Sequence, residues 1–111
     1  MNDFNDIADA LNRISDTPLL RVRNFIIDYH DRNGASLHGV IQLMDPCDCS
    51  DAVVVETIIQ QGRDRNEKVY SIIEVMGRHT LKEVYRMLEG PEKAAGVTMR
   101  SIYLDKAQAL I

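Results

Sequence analysis

The stretch AVVVETIIQQGRDRNEKVYSIIEVM, residues 52–76, decides the fold class of this chain, because its two apolar runs suit two different structures. Valine and isoleucine are abundant in 52–59 and 68–76, and such β-branched side chains fit pleated strands. Neither run alternates cleanly between apolar and polar residues, however, and both have apolar side chains at helical spacing. A small β-hairpin near 60–76, closed by GRDRN, is the alternative to helices here, and DRNG at 31–34 would close a second hairpin.

Helical spacing continues on both sides of this stretch. Apolar side chains recur every three or four residues in successive segments, each of which gives a helix one face to bury. These segments are 4–14, 18–32, 37–44, 51–61, 67–76, 81–89 and 98–110. Four of the six glycines come just after such a segment, where helices commonly end in a left-handed residue, and Gly96 comes just before the last one. Thr80 and Glu83 fit a capping box. We therefore predict an all-α fold, a compact bundle of about six or seven short helices.

Length and charge limit the classes of protein that this chain fits. Its 111 residues predict a single helical domain, residues 1–111, because a second domain would be too small to stabilise its own core. The net charge of −4 argues against a protein that coats nucleic acid by bulk charge. The charge is uneven, since residues 1–60 carry four basic and ten acidic side chains, and residues 61–111 carry nine and seven. The two halves can therefore present an acidic and a mildly basic surface.

Membrane segments and metal sites are not indicated. No apolar run approaches the ~18 residues that span a bilayer, and the start of the chain is acidic and polar, unlike a signal peptide. We therefore expect a cytoplasmic protein with no membrane partner. Cys47 and Cys49 are separated by one residue, which strains a disulfide, so reduced thiols are expected. With His30 or His38 they could hold a soft metal, but their spacing does not match common zinc frameworks, and we predict no metal site.

Motifs for catalysis and cofactor binding are also missing. The loop DPCDCSD at 45–51 has several acidic residues but lacks the glycine and the closing glutamate of a calcium loop. The chain contains no Gly-x-Ser-x-Gly elbow, phosphate-binding glycine loop or dinucleotide fingerprint. We therefore predict that the protein is not an enzyme and that it binds no cofactor.

Residues 18–70 resemble the opening of a winged-helix domain. A predicted helix that ends at Gly34, a short helix led by Ser36 and a third helix at 51–61 follow one another before GRDRN. The resemblance implies that Gly34 makes the turn, that Val40 makes the packing contact and that 51–61 enters the major groove. That third segment has no lysine or arginine, which is the wrong charge for a helix that approaches phosphates.

Residues 94–110, AAGVTMRSIYLDKAQAL, resemble the second half of the helix-turn-helix in tetracycline-repressor-like regulators. The resemblance implies that Gly96 makes the turn, that Thr98 caps the recognition helix and that Ile102 packs it on the core. The residues that it places against DNA are Met99, Arg100, Ser101 and Tyr103. The sequence departs from that family at 90–91, where a Gly-Pro pair interrupts the preceding helix.

Basic side chains in the second half of the chain complete the predicted DNA-binding set. Arg63 and Arg65 flank a turn, and Arg78, Lys82 and Arg86 share one helical face at four-residue spacing. We therefore predict a small helix-turn-helix-like transcriptional regulator of phage or mobile-element type, which binds DNA by phosphate contacts and a helix in the groove. Such modules commonly dimerise, so a homodimer is expected.

An acidic protein-binding module is the alternative function. Such an adaptor, inhibitor or anti-defence protein would bind a basic protein partner through the acidic N-terminal half, without catalysis. Mimicry of DNA is one form of this binding, and the aspartates that would supply it are Asp3, Asp6, Asp9, Asp16, Asp28 and Asp31. A third hypothesis for the function is a purely structural oligomerisation domain, based on five methionines and many aliphatic residues.

Overall fold

The computed structural model describes residues 21–45 and 49–109, which form four β-strands and three α-helices. In chain order these are β1 (Arg21–His30), β2 (Ser36–Asp45), α1 (Asp51–Asp64), β3 (Lys68–Val75), α2 (Leu81–Met87), a 3₁₀ turn (Pro91–Ala94), β4 (Met99–Leu104) and α3 (Lys106–Ala109). The strands form one antiparallel sheet in the order β2-β1-β3-β4. The fold is therefore mixed α/β, and the predicted all-α bundle is wrong.

Four segments with helical spacing are strands instead of helices. They are the segments at 18–32, 37–44, 67–76 and 98–110, which overlap β1, β2, β3 and β4, although residues 106–109 of the last segment form the short helix α3. Helices pack on both faces of the sheet, so its inner strands bury neighbouring side chains rather than alternate ones. In β3, the adjacent residues Glu74 and Val75 are both buried, on opposite faces. Such a strand has no two-residue period, and its β-branched composition predicts the structure better than its spacing does.

Two of the predicted helices are present. The segment at 51–61 forms most of α1, and the segment at 81–89 contains α2. α2 begins with the predicted capping box, in which the Thr80 hydroxyl accepts the backbone N–H of Glu83 and the Glu83 carboxylate accepts that of Thr80. The predicted helix at 4–14 lies outside the described residues.

The tight turn of the sheet is at DRNG, residues 31–34, and it joins β1 to β2. The C=O of Asp31 accepts the N–H of Gly34 at 2.9 Å, and Gly34 has a φ of +82°, which glycine adopts without a side-chain clash. GRDRN ends α1 and leads into β3. The hairpin near 60–76 is therefore wrong, whereas the alternative hairpin at 31–34 is correct.

Two apolar clusters lie on opposite faces of the sheet. One joins Phe25 and Ile27 of β1 to Ile58 of α1, and the other joins Val75 of β3 to Val84 of α2. α1 lies over β3 and β4, and α2 lies over β1 and β2. The two helices are therefore offset across the sheet, and β2 is covered by a helix mainly on the α2 face.

Candidate functional site

The ten residues predicted to contact DNA lie in separate parts of the molecule. Arg63 and Arg65 are at the C-terminal end of α1, whereas Lys82 and Arg86 are on α2, on the opposite face of the sheet. Arg78 lies between β3 and α2. The remaining five are in β4 or directly before it: Thr98, Met99, Arg100, Ser101 and Tyr103. The structure does not bring these residues together on one surface.

The predicted helix-turn-helix at 94–110 is wrong, because residues 99–104 form β4. Thr98 caps no helix, and its C=O accepts the N–H of Met76 at 2.8 Å where β4 begins to pair with β3. The winged-helix resemblance implies two helices in the region where the chain forms the strands β1 and β2, so this resemblance is also wrong about the structure. Gly34 does make a turn, but it is the turn of a hairpin.

Arg23 of β1 is the centre of an ion-pair network on the α1 face of the sheet. Its guanidinium donates to both carboxylate oxygens of Glu74 at 2.8 and 2.9 Å. It also donates to Asp51 at 3.2 Å and to the C=O of Cys49 at 3.0 Å, and it lies over the Phe25 ring. Arg23 and Glu74 are each only 4% exposed. A bidentate pair of this kind satisfies both charges inside the protein.

Arg100 of β4 completes the network. Its guanidinium donates to both carboxylate oxygens of Asp51, at 2.5 and 3.0 Å, and to Glu74 at 2.7 Å. Two arginines and two carboxylates thus connect β1, β3, β4 and the first turn of α1. Arg100 is therefore engaged by the protein itself, which weakens its predicted role as a phosphate contact.

The network lowers the pKa of both carboxyl groups. Hydrogen bonds from Arg100, more than those from Arg23, hold the pKa of Asp51 below its ordinary value of 3.8. Hydrogen bonds from Arg23, more than those from Arg100, hold the pKa of Glu74 below its ordinary value of 4.5, against the opposing effect of burial. Asp51 and Glu74 in turn raise the pKa of Arg100. Carboxylates that remain ionised and paired are poorly suited to acid–base catalysis near neutral pH, so this cluster has a structural role.

The described part of the chain is electrically neutral. Residues 21–45 and 49–109 contain twelve basic and twelve acidic side chains. The net charge of −4 therefore comes entirely from residues outside these ranges. The difference in charge between the two halves of the chain does not divide the described fold into an acidic and a basic surface, because its strands and helices interleave the halves.

The predicted acidic surface is only partly described. Asp3, Asp6, Asp9 and Asp16 lie outside the described residues. The Asp28 carboxylate is 2.5 Å from Nδ1 of His38, its cross-strand neighbour, and the Asp31 carboxylate accepts two backbone N–H groups of the hairpin turn. These two aspartates therefore have local structural roles.

A cleft of about 420 Å³ lies where α1 ends and β3 begins. Arg63 and Lys68 line it together with Asp31, Glu67 and Asp105. The Glu67 carboxylate accepts a hydrogen bond from a neighbouring arginine at 2.9 Å, and that of Asp105 accepts a backbone N–H in the first turn of α3. Charges of both signs line the cleft, so it selects neither an anionic nor a cationic ligand.

The outer edge of β2 is one of the two edges of the sheet, and β4 forms the other. No strand in the described ranges pairs with it, because β2 is the first strand in the sheet order. Its ten residues pair with β1 without any register shift. Residues 36–44 contain no Asp, Glu, Lys, Arg or Pro. Proteins usually protect an edge of this length with charges, proline or a bulge, and residues 36–44 contain no such charge or proline and pair with β1 without a bulge.

The backbone of β2 presents donors and acceptors along this edge. The N–H of Asp31 donates to the C=O of Ala35 at 3.0 Å, which makes the odd-numbered residues of β2 the ones that bond to β1. The even-numbered residues direct N–H and C=O groups outward, and they are Ser36, His38, Val40, Gln42 and Met44. The edge therefore offers five residues for pairing with a further strand.

Apolar side chains accompany these backbone groups. Met44 is 66% exposed and Leu37 is 40% exposed. Ile41 and Leu43, on the α1 face, are only partly buried, since α1 lies over the other half of the sheet. An extended apolar segment beside β2 would remove these side chains from water.

Sequence reasoning missed this edge because it predicted a helix at 37–44. Two signals could have found it. DRNG is a turn sequence between two apolar runs, and the run that follows it is uncharged from 36 to 44. Which of the two hairpin strands lies at the edge depends on tertiary pairing and has no local signal.

The structure shows neither a metal site nor a membrane span among the described residues. No three His, Cys, Asp or Glu side chains in these ranges are grouped to hold a metal ion, and Cys47 lies outside them. The helices within the described ranges are too short or too polar to cross a membrane.

Comparisons with known proteins give no relative from which a site could be transferred. The chain matches no protein-family model, no curated protein and no solved structure.

Proposed function

We propose that this protein is a non-catalytic protein-binding module that takes an extended segment of a partner as a fifth strand beside β2. The observation that carries this proposal is the outer edge of β2, which is long, regular and free of charged side chains from 36 to 44. The proposal keeps the alternative class from the sequence, a protein that acts on a protein partner. The binding surface that we propose is the outer edge of β2, and not the acidic N-terminal half that the sequence suggested.

Main-chain hydrogen bonds would supply the affinity of such a site. Strand addition at a sheet edge pairs the backbone of the incoming segment, while side chains at alternate positions determine its specificity. The five outward-facing residues of β2 offer one donor and one acceptor each. The partner would therefore be extended over about nine residues, because antiparallel pairing uses every second residue.

The exposed side chains favour an apolar partner segment. Leu37 and Met44 lie near the two ends of the edge, on opposite faces, and Ile41 lies between them. His38 is the one imidazole from 36 to 44, and its Nδ1 lies 2.5 Å from the Asp28 carboxylate on β1. A highly charged segment would find no opposite charge along this strand.

DNA binding remains an untested prediction. The basic residues predicted to contact DNA lie on both faces of the sheet. Arg100 is paired with Asp51 and Glu74, and the described ranges carry no net charge. Affinity for DNA depends mainly on basic groups that face the phosphates together. The geometry therefore supports protein binding better than it supports DNA binding.

A peptide with the sequence SLHGVIQLMD, which is residues 36–45 of this chain, is a direct probe of the edge. We expect it to bind the folded protein, at a concentration where the protein is monomeric, and to slow hydrogen exchange at the amides of Val40 and Gln42. The amide of Ile41, which faces β1, should change less. The scrambled peptide is the control. Exchange at Val40 and Gln42 that is unaffected by millimolar peptide would refute strand addition.

A further inference from the structure

We infer that the natural occupant of this edge is β2 of a second copy of the chain, paired antiparallel about a two-fold axis at Val40. The inference rests on the proposed function, because it names the partner of the same edge. It predicts a homodimer with one continuous eight-stranded sheet.

Charge is the first reason to place a second copy here. Pairing of a strand with itself brings the same residue types close together, so a charged strand meets like charges. Residues 36–44 avoid this, since they contain no Asp, Glu, Lys or Arg. The His38 ring is already paired within the chain, since its Nδ1 lies 2.5 Å from the Asp28 carboxylate on the neighbouring strand.

Backbone geometry is the second reason. With the axis at Val40, residue 36 of one copy faces residue 44 of the other, 38 faces 42, and 40 faces 40. All of these residues direct their N–H and C=O groups outward. Antiparallel pairs of this type exchange two hydrogen bonds each, so the five pairs form about ten across the interface. The axis also lies at the centre of the uncharged stretch.

Side-chain sizes agree with this register. On the α1 face, Leu37 of one copy lies opposite Leu43 of the other, and Gly39 lies opposite Ile41, a small residue against a large one. On the α2 face, Met44 lies opposite Ser36. Leu37 and Met44, both exposed in the single chain, each gain a cross-strand neighbour of the other copy. Cross-strand pairs of this kind stabilise sheets.

The two-fold arrangement also explains why assembly stops at a dimer. It uses the β2 edge of both copies and leaves only the two β4 edges at the ends of the sheet. β4 has six residues, its register with β3 shifts between Ile72 and Ile73, and its Arg100 is engaged by Asp51 and Glu74. Short strands with bulges and charges resist further pairing.

The decisive experiment is sedimentation equilibrium of the full chain and of two variants at one position. Gln42→Pro removes an outward N–H from each copy, while Gln42→Ala removes the same side chain and its hydrogen bond with Asn24 but keeps the N–H. We expect the wild type to dimerise and Gln42→Pro to raise the dimer dissociation constant at least about tenfold. Gln42→Ala should change it by less than about threefold.

Met44→Lys is the second variant, in case Gln42→Pro does not fold. It places a charge on an exposed side chain of the edge and should weaken the dimer in the same direction. Circular dichroism of each variant establishes that it is folded before its association is measured. A folded Gln42→Pro or Met44→Lys with the dimer affinity of the wild type would overturn the interface.

Cysteine cross-linking tests the register. In a chain where Cys47→Ser and Cys49→Ser remove the native thiols, Leu37→Cys and Leu43→Cys are prepared as separate proteins. We expect a disulfide only when the two are mixed, because position 37 faces position 43 of the other copy and lies far from its own position 37. Cross-linking of either protein alone would contradict the axis at Val40.

The outcomes separate this inference from the proposed function. If the wild type stays monomeric to about millimolar concentration while the β2 peptide still protects Val40 and Gln42, the homodimer is wrong and strand addition stands. If the protein neither dimerises nor binds the peptide, both are wrong. A dimer that the Gln42 variants do not distinguish would place the contact elsewhere on the chain.

Discussion

The two edges of the sheet differ in nearly every property that controls strand pairing. β2 has ten residues, a regular register and no charged side chain from 36 to 44, whereas β4 has six residues, a register shift and Arg100 at its second position. The β4 side is also held by the buried ion-pair network. Arg100 on the β4 side is therefore engaged by polar contacts within the chain, whereas no strand of the described residues pairs with the uncharged β2 edge. The contrast teaches that a sheet edge used for interaction can be recognised because it lacks the charges, prolines and bulges that usually prevent strand pairing.

The largest expected effect comes from breaking the network that holds the β4 side. Glu74→Ala leaves the buried Arg23 guanidinium without its bidentate partner, and we expect a loss of about 3–5 kcal/mol in the free energy of unfolding. Urea denaturation measures it. Asp51→Ala is the matched control, since Asp51 is 43% exposed and its loss should cost about 1 kcal/mol or less. Equal losses in the two variants would show that the network is not centred on Arg23 and Glu74.

Acid should weaken the same side of the molecule. The folded state lowers the pKa of Asp51 and Glu74, so their ion pairs contribute fully above the ordinary values of 3.8 and 4.5. This contribution is lost as the pH falls below those values through the folded-state pKa. We therefore expect stability to decline below about pH 4.5 and the decline to be shallower in Glu74→Gln. Denaturation midpoints between pH 7 and pH 3 test this, and identical slopes would contradict it.

A smaller effect is expected on the β2 side. Thr80→Ala removes the hydroxyl that caps α2, which should cost about 1 kcal/mol. Because α2 lies over β1 and β2, hydrogen exchange should increase at Val84 and at Ile41, whose N–H faces β1, more than at Arg100 of β4. Thr80→Ser, which keeps the capping oxygen, is the control. A uniform increase across the sheet would mean that the two sides unfold as one unit.

The smallest effect on stability is expected at the open edge itself. Met44→Lys should change the free energy of unfolding of the monomer by less than about 0.5 kcal/mol, because Met44 is 66% exposed. Thermal unfolding at a concentration below dimerisation measures it. A large loss would mean that Met44 supports the fold of the single chain, which would remove it from the binding surface.

Some parts of the fold could be predicted from the sequence, and each of them depends on local signals. The capping box at Thr80 and the turn at DRNG were readable because both use short-range hydrogen bonds with known residue preferences. The helix at 51–61 was readable from its spacing. The strands were misread as helices, because helices on both faces of the sheet bury consecutive residues and remove the two-residue period.

The ion-pair network could not be predicted in the same way. Arg23, Asp51, Glu74 and Arg100 are far apart in the sequence, and only the order β2-β1-β3-β4 brings them together. Arg100 was predicted to contact DNA because an exposed arginine and a paired one look alike in the sequence. The helix-turn-helix resemblance at 94–110 was carried by a short stretch in which Gly96, with a φ of +80°, suits the end of a helix and a loop before a strand equally well.

The sequence by itself determined the turn at DRNG, the cap of α2 at Thr80 and the absence of charge from 36 to 44, because each of these can be recognised from neighbouring residues. Only the tertiary structure decided that this uncharged segment is a strand and that it lies at the edge of the sheet. Strand order is set by which long-range pairings bury the most apolar surface and satisfy charges such as that of Arg23, and these pairings join residues tens of positions apart.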